Sequence, residues 1–205
     1  MRGLARVAVT SVVALAFTLA GGPARAGEPR THDGFFLRLS AGAGSAKTGI
    51  EVFGLDTDLK GTSGDLNIAV GAMIARNLAL HGTLFGWAIQ GPDLTFEGET
   101  EQEDDGVVAM SAWGGGLTYY FMPVNLYVSG TLGVGSLVFE TDDIDEDSGS
   151  DLVGEITLGK EWWVGDSWGL GIAASYGVHS LPAPDLFDED WFGNSWAIRF
   201  SATRN

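Results

Sequence analysis

The tightest constraint on this chain is the alternation in residues 152–178, LVGEITLGKEWWVGDSWGLGIAASYGV. Ile156, Leu158, Trp162 and Val164 share one parity, while Glu155, Thr157, Gly159 and Glu161 share the other. After Gly165-Asp166-Ser167 the pattern resumes, with Trp168, Leu170, Ile172, Ala174, Tyr176 and Val178 against Gly169, Gly171, Ala173, Ser175, Gly177 and His179. Successive residues of an extended strand point to opposite faces, so each half carries one large apolar face and one small or polar face. The stretch predicts a hairpin. Trp162 and Trp168 flank its turn on the apolar side, and an indole, apolar in body with one N–H, suits a boundary between hydrocarbon and water.

Residues 1–26 read as a secretory signal. Arg2 and Arg6 precede the apolar run 7–20, and Ala24-Arg25-Ala26 supplies a small-x-small cleavage pattern. Residues 27–33 form a polar lead-in expected to be mobile, and residues 34–205 are long enough for one domain. Beyond the signal no apolar run approaches the roughly 20 residues of a spanning helix, so a membrane-crossing form of this chain has to be a closed barrel. Removing the three arginines of the signal takes the formal charge from −16 to −19. That balance disfavours nucleic acid, which needs a basic footprint. With no cysteine in the chain, neither disulfides nor thiolate metal sites are available.

Six more alternating stretches flank this hairpin. The first, 34–46, sets Phe35, Leu37, Leu39, Ala41 and Ala43 against Arg38, Ser40, Gly42 and Gly44. The second, 64–75, sets Leu66, Ile68, Val70, Ala72 and Ile74 against Asn67, Ala69, Gly71 and Met73, and Arg76-Asn77 turns it into a third, 78–89. A fourth, 107–121, carries Trp113, Leu117, Tyr119 and Phe121 outward, with Ser111 interrupting and a bulge expected at 114–116. The fifth is 126–138, the hairpin supplies the sixth and seventh, and the eighth is 194–203, with Trp196, Ile198 and Phe200 against Arg199 and Ser201. Between them lie loops at 48–63, 90–106, 139–151 and 181–193 and short turns at 76–77, 122–125 and 165–167. Loops 90–106 and 139–151 each hold seven acids and no base. Long and short connections alternate, so an up-and-down sheet gathers all four long loops at one end and both termini at the other. Both acidic loops are expected to tolerate insertion, Gly149 included.

The predicted fold is all-β, an eight-stranded antiparallel up-and-down transmembrane β-barrel. The aromatic-flanked turns Tyr119-Tyr120-Phe121-Met122-Pro123 and Trp162-Trp163-Val164-Gly165-Asp166-Ser167-Trp168, with the aromatic last strand, carry a resemblance. Over essentially the whole mature sequence the chain resembles the small eight-stranded outer-membrane β-barrels of the OmpA/OmpX type. It departs from them in following Phe200 with Ser-Ala-Thr-Arg-Asn rather than ending on an aromatic residue. The resemblance implies residence in the cell outer membrane, contact with its lipid and lipopolysaccharide, and insertion by the barrel-assembly machinery. The rival fold is a soluble lipocalin-like barrel with the apolar faces turned inward around a ligand. Alternating loop lengths and Trp at the turn ends favour the membrane form.

Function is less constrained, because fold alone does not fix it. Eight strands enclose an interior that side chains can fill, which disfavours an open pore. The expected role is structural or surface-interacting, with a cation- or partner-binding, adhesin-like role as the alternative and a lipid-modifying enzyme as a third. His179-Ser180 is the one candidate catalytic pair, but adjacent strand residues face opposite sides, so no catalytic residue is assigned. His179 reads as a rim residue and His81 as a hydrogen-bonding group of the lumen. No cofactor is expected, with calcium or another divalent cation as the alternative to a solvated acidic rim. Asp143, Asp145, Asp147 and Asp151 offer the alternating carboxylates a hard cation takes. Trp162, Trp168, Tyr119 and Phe121 are expected at the membrane interface. Counting from the short-turn ends places Arg38, Glu161 and Arg199 at similar height on the inner wall, predicting one charge cluster that Glu155 extends.

Overall fold

The computed structural model describes residues 32–102, 106–140, 145–183 and 189–204, with backbone alone at 52 and 145–147. The signal segment lies outside these residues. In chain order the strands are β1 (Phe35–Val52), β2 (Leu55–Ala75), β3 (Leu78–Gln90), β4 (Asp93–Phe96), β5 (Glu99–Gln102), β6 (Val107–Phe121), β7 (Leu126–Glu140), β8 (Asp145–Asp147), β9 (Asp151–Trp163), β10 (Trp168–Pro182) and β11 (Asp190–Arg204). Eight of them form the wall in the order β1-β11-β10-β9-β7-β6-β3-β2, and β2 pairs again with β1. All these pairs are antiparallel, so the barrel is closed and up-and-down, as the alternation predicts.

The wall turns its apolar residues outward, which excludes the lipocalin arrangement. Leu158 is 61% exposed, Trp113 70% and Phe200 72%, whereas Arg199 on the inner parity is 2% exposed. An outer belt of Leu, Ile, Val and aromatic side chains is what a hydrocarbon surround requires. Leu170, Ile172 and Ile198 lie on this outer face with Leu158, and Ser175 is buried within.

β6 contains no bulge. Its pairings with β3 and β7 run without a shift through Gly114, Gly115 and Gly116, and Ser111 simply sits outward near the long-loop end. The register shift of the β2–β3 pair falls at Met73/Ala75, beside the short turn. That turn uses Asn77 at φ 62°, and the 122–125 turn uses Asn125 at φ 55°, a left-handed conformation asparagine tolerates well. Each turn carbonyl then accepts from a neighbouring strand, Asn77 O from Tyr120 N at 2.8 Å and Asn125 O from Glu161 N at 3.0 Å.

The predicted loops are shorter than the sequence implied. Most of 48–63 continues β1 and β2 to a turn at Phe53-Gly54, and 93–102 forms the β4–β5 hairpin, which pairs onto β2. β1 has 18 residues and β2 has 21, against about 9–11 needed to cross a membrane. Their upper parts therefore extend beyond the belt, where the outward residues Lys47, Glu51, Asp56 and Asp58 are polar and the alternation that announces a strand fades. At the opposite end residues 27–31 of the lead-in lie outside the described residues, and its His32 is buried with its ring stacked 3.5 Å from that of Tyr120.

A charged residue on the belt should be costly and one on the wet extension should not. Leu158→Arg is expected to lower folding stability in lipid vesicles by roughly 2–4 kcal/mol, and Thr100→Arg on β5 by less than about 1 kcal/mol. Equal losses in urea titration of the two variants would mean that the belt does not face hydrocarbon.

Candidate functional site

The lumen is filled in three levels. At the short-turn end Arg38 projects inward from β1 between aromatic rings. Its guanidinium carbon lies 3.9 Å from the ring centre of Tyr127 and 5.1 Å from that of Phe36, cation–π geometry in a dry site. Nη2 donates to Tyr120 Oη at 2.6 Å, and Nε lies 3.5 Å from Glu161 Oε1. Thr203 Oγ1 donates to the same carboxylate oxygen at 2.6 Å and Tyr120 Oη at 3.3 Å. Gly159 makes this possible. A Cβ there would meet the Tyr127 ring at 2.4 Å. Below, His32 Nε2 pairs with Asn125 Oδ1 at 2.7 Å and its ring sits 4.9 Å from that of Trp163, closing the short-turn mouth.

The middle level belongs to Arg199 of β11. Its Nη1 donates to Glu155 Oε1 at 2.8 Å, its Nη2 to Glu155 Oε2, and its Nε to Asp65 Oδ1. Asn67 Nδ2 adds a bond to Glu155 Oε1 at 3.0 Å. Alongside, His81 pairs through Nδ1 with Thr83 Oγ1 at 2.6 Å and through Nε2 with Thr118 Oγ1 at 3.0 Å, and Thr118 donates to Ser129 Oγ at 2.8 Å. A buried ion pair offsets its desolvation only with such added hydrogen bonds. Between the two levels is a hollow of about 10 Å³ lined by Arg38, Tyr127, His81 and Arg199, room for about one water.

The third level, toward the long loops, is apolar. Phe85, Trp87, Ile89, Met110, Leu137, Val153 and Leu181 pack together, with Leu59, Phe139 and Trp191 against them. Inner faces described from the sequence as small and polar are therefore bulky in their outer third. The signal was present, since Phe85, Trp87 and Ile89 share the parity of His81 and Thr83 on β3. His179 is a member of this level and not of the rim. It is 5% exposed, its Nε2 pairs with Thr48 Oγ1 at 3.0 Å, and its ring centre lies 5.9 Å from that of Trp87.

The predicted single cluster is thus two groups. Arg38 meets Glu161, but Arg199 meets Glu155 and Asp65. The reason is stagger: closing a barrel shifts its strands along one another, so that Arg38 lies opposite Thr203 while Arg199 lies opposite Gly42. Counting from strand ends ignored that shift. Asp65 was the residue missed, although it has the parity of Asn67 one step along β2.

The remaining predicted residues are dispersed. Trp162, Tyr119 and Phe121 are exposed on the outer face, Tyr119 and Phe121 edge to face at 4.9 Å, and Trp168 is half-buried beside the 165–167 turn. Asp143 lies outside the described residues, as do the side chains of Asp145 and Asp147. Asp151 is exposed and accepts from Leu152 N at 2.6 Å. Among the described residues no three His, Cys, Asp or Glu side chains converge on a common point. Gly149 is held in place: its N–H donates to Pro182 O at 2.8 Å and an added Cβ would meet Pro182 at 3.0 Å. The insertion expected there is better placed elsewhere.

No protein-family model matches the sequence, and no curated protein matches it. Solved structures do. Neisserial surface protein A superposes with a TM-score of 0.56 at 12% identity, covering 83% of this chain and 97% of that one. OprG of Pseudomonas aeruginosa gives 0.47 at 14% identity over 84% and 97%, and the attachment invasion locus protein Ail of Yersinia pestis gives 0.44 at 15% over 82% and 99%. The fold is that of the small eight-stranded outer-membrane β-barrels, and the resemblance drawn from the sequence holds.

Splitting the charges into two groups has a thermodynamic signature. Glu161→Gln should cost about 3–5 kcal/mol, because it leaves the Arg38 charge buried without its partner. In double-mutant cycles with Arg38→Met and Arg199→Met, Glu161 should couple strongly to Arg38 and by less than about 0.5 kcal/mol to Arg199. Equal coupling to both arginines would restore the single cluster.

Proposed function

We propose that this protein is an outer-membrane surface protein, a non-conducting and non-catalytic barrel that anchors an acidic, strand-built platform outside the membrane. The observation that carries this reading is the filled lumen: the aromatic–arginine level, the Arg199 level and the apolar level stack along one axis. Any solute crossing it would have to break two buried ion-pair groups and part a packed core, each step costing several kcal/mol. The wall then serves to hold what it presents. Above the belt the extended β1–β2 hairpin and the β4–β5 hairpin form one sheet with Asp56, Asp58, Glu97, Glu99 and Glu101 along it. Hydrolysis finds no support, because Ser180 turns away from buried His179 and donates instead to Asp190 Oδ2 at 3.1 Å.

The outer belt and the export signal support placement in the outer membrane, with lipid and lipopolysaccharide as the surrounding partners. In this reading the long-loop end faces the exterior, since short turns lie on the periplasmic side of such barrels. Acidic side chains there keep the platform hydrated and confine its attractive partners to cations and basic surfaces.

Two measurements test it. Vesicles carrying the inserted barrel should swell in small sugars no faster than protein-free vesicles, and steady solute entry would overturn the plugged reading. An epitope placed after Gly98, in the β4–β5 turn with nothing within 4 Å of its Cβ position, should be labelled on intact cells. Labelling only after the envelope is broken would invert the topology.

A further inference from the structure

The barrel seam opens before its strands end. β1 and β11 pair up to Gly49 opposite Phe192, after which β1 continues to Val52 on β2 alone. On the outer face of this divergence is a groove of about 620 Å³, within the size range of small-molecule sites. Its two walls differ in chemistry. Tyr176, Val178 and Phe192 from β10 and β11 form an apolar wall, with exposures of 50%, 50% and 62%. Glu51, Asp56, Asp58 and Lys47 from the β1–β2 extension form the other. Gly49 lies between them, and even a Cβ there would meet Asp58 Oδ1 at 2.2 Å.

Charge accounting selects the ligand. Lys47 Nζ lies 2.9 Å from Asp58 Oδ2, so these two neutralise each other. Glu51 and Asp56 stand directly opposite across the β1–β2 ladder, and among the described residues no basic side chain pairs with either. Two carboxylates facing each other across strands repel. A cation between them would relieve that repulsion, and the neighbouring apolar wall would take a hydrocarbon body attached to it.

We propose that this groove binds a cationic amphiphile, a primary ammonium joined to an alkyl or aryl chain, with the ammonium at Glu51 and Asp56 and the chain along Tyr176, Val178 and Phe192. The site rests on the membrane reading, which brings the apolar wall to the lipid-facing rim. It deepens that reading by giving the presented surface a ligand class. Ammonium suits the acidic wall because it brings three donors and a full charge, and an alkylamine stays protonated at pH 7 as the lysine side chain does. Neutral or anionic amphiphiles of equal length gain the apolar contact alone.

The test uses the full chain inserted in phosphocholine nanodiscs, with insertion scored beforehand by heat-modifiable gel mobility. Dodecylamine should bind saturably above its partition into empty discs and shift the Gly49 and Gly193 amide resonances, while dodecanol should not. Glu51→Gln with Asp56→Asn, which removes the repulsion and so preserves folding, should weaken dodecylamine binding by about tenfold. Phe192→Ala should weaken it through the other wall. Dodecanol reproducing the shifts, the double variant binding the amine as wild type does, or magnesium alone producing the same acid-dependent shifts would each overturn the assignment. A barrel that fails to insert contradicts the membrane reading instead; one that inserts and ignores the amine contradicts only the site.

Discussion

The closing ladder between β1 and β11 is the constraint on which the rest of this structure depends. It joins thirteen residue pairs, from Leu37 opposite Arg204 to Gly49 opposite Phe192. Without it β1 and β11 would be bare edges, each a row of unpaired N–H and C=O groups that hydrocarbon cannot satisfy. With it, the wall acquires one fixed stagger. That stagger decides which inward side chains are level, and so brings Arg38 to Glu161 and Thr203 while lifting Arg199 to Glu155 and Asp65. The two guanidiniums never have to share one carboxylate. Each lies in its own shell of hydrogen bonds, which is the condition for holding two such charges in a narrow interior.

What was legible in the sequence is what a period of two can report. On each wall strand the outward apolar set shares one parity, and the faces of Leu158, Ile172 and Ile198 follow directly from it. Arg38, Glu161 and Arg199 were legible as inward for the same reason. Their grouping was not, because height around a closed sheet depends on strand stagger, a property of the whole ladder that no local pattern records. The β1–β2 extension was illegible for a different cause. Among Thr57, Asp58, Leu59 and Lys60 only Leu59 is apolar and packs against the core, so the two parities carry too little contrast and the segment reads as a loop. Asp65 and the Phe85-Trp87-Ile89 stripe fall between these cases: parity carries them inward, but that Asp65 lies opposite Trp87, and Trp87 opposite Met110, is a matter of register that one strand's pattern does not record.

The interior is graded rather than uniform, and the grading follows from what lies beyond each mouth. Toward the short turns the charged level is dry, sealed by Phe36, Tyr120, Tyr127 and the stacked His32. There an arginine is held as much by ring faces as by its acid. Toward the long loops the plug is mostly apolar, and its buried His179 is satisfied from within by Thr48, so little of it calls on solvent for a hydrogen bond. The polar level lies between, shielded on both sides. An opposite order, with the ion pairs at the wet mouth, would expose them to screening and leave an apolar surface open to water.

The same ladder also explains why the outer face offers a binding groove at one seam. Pairing of β1 with β11 stops at Gly49 and Phe192, whereas β1 stays with β2 to the hairpin tip and β10 stays with β11 to Pro182 and Asp190. Two paired ribbons therefore part at the height where the outer face changes from belt to platform. On one ribbon the outward residues are still those of the belt, Tyr176, Val178 and Phe192; on the other they are already those of the platform, Glu51, Asp56 and Asp58. An apolar wall facing an acidic one is thus a consequence of where the seam ends relative to the boundary between hydrocarbon and water. A seam ending lower would flank the groove with belt residues on both sides and select an uncharged lipid. One ending higher would line it with carboxylates on both sides and select a hydrated cation.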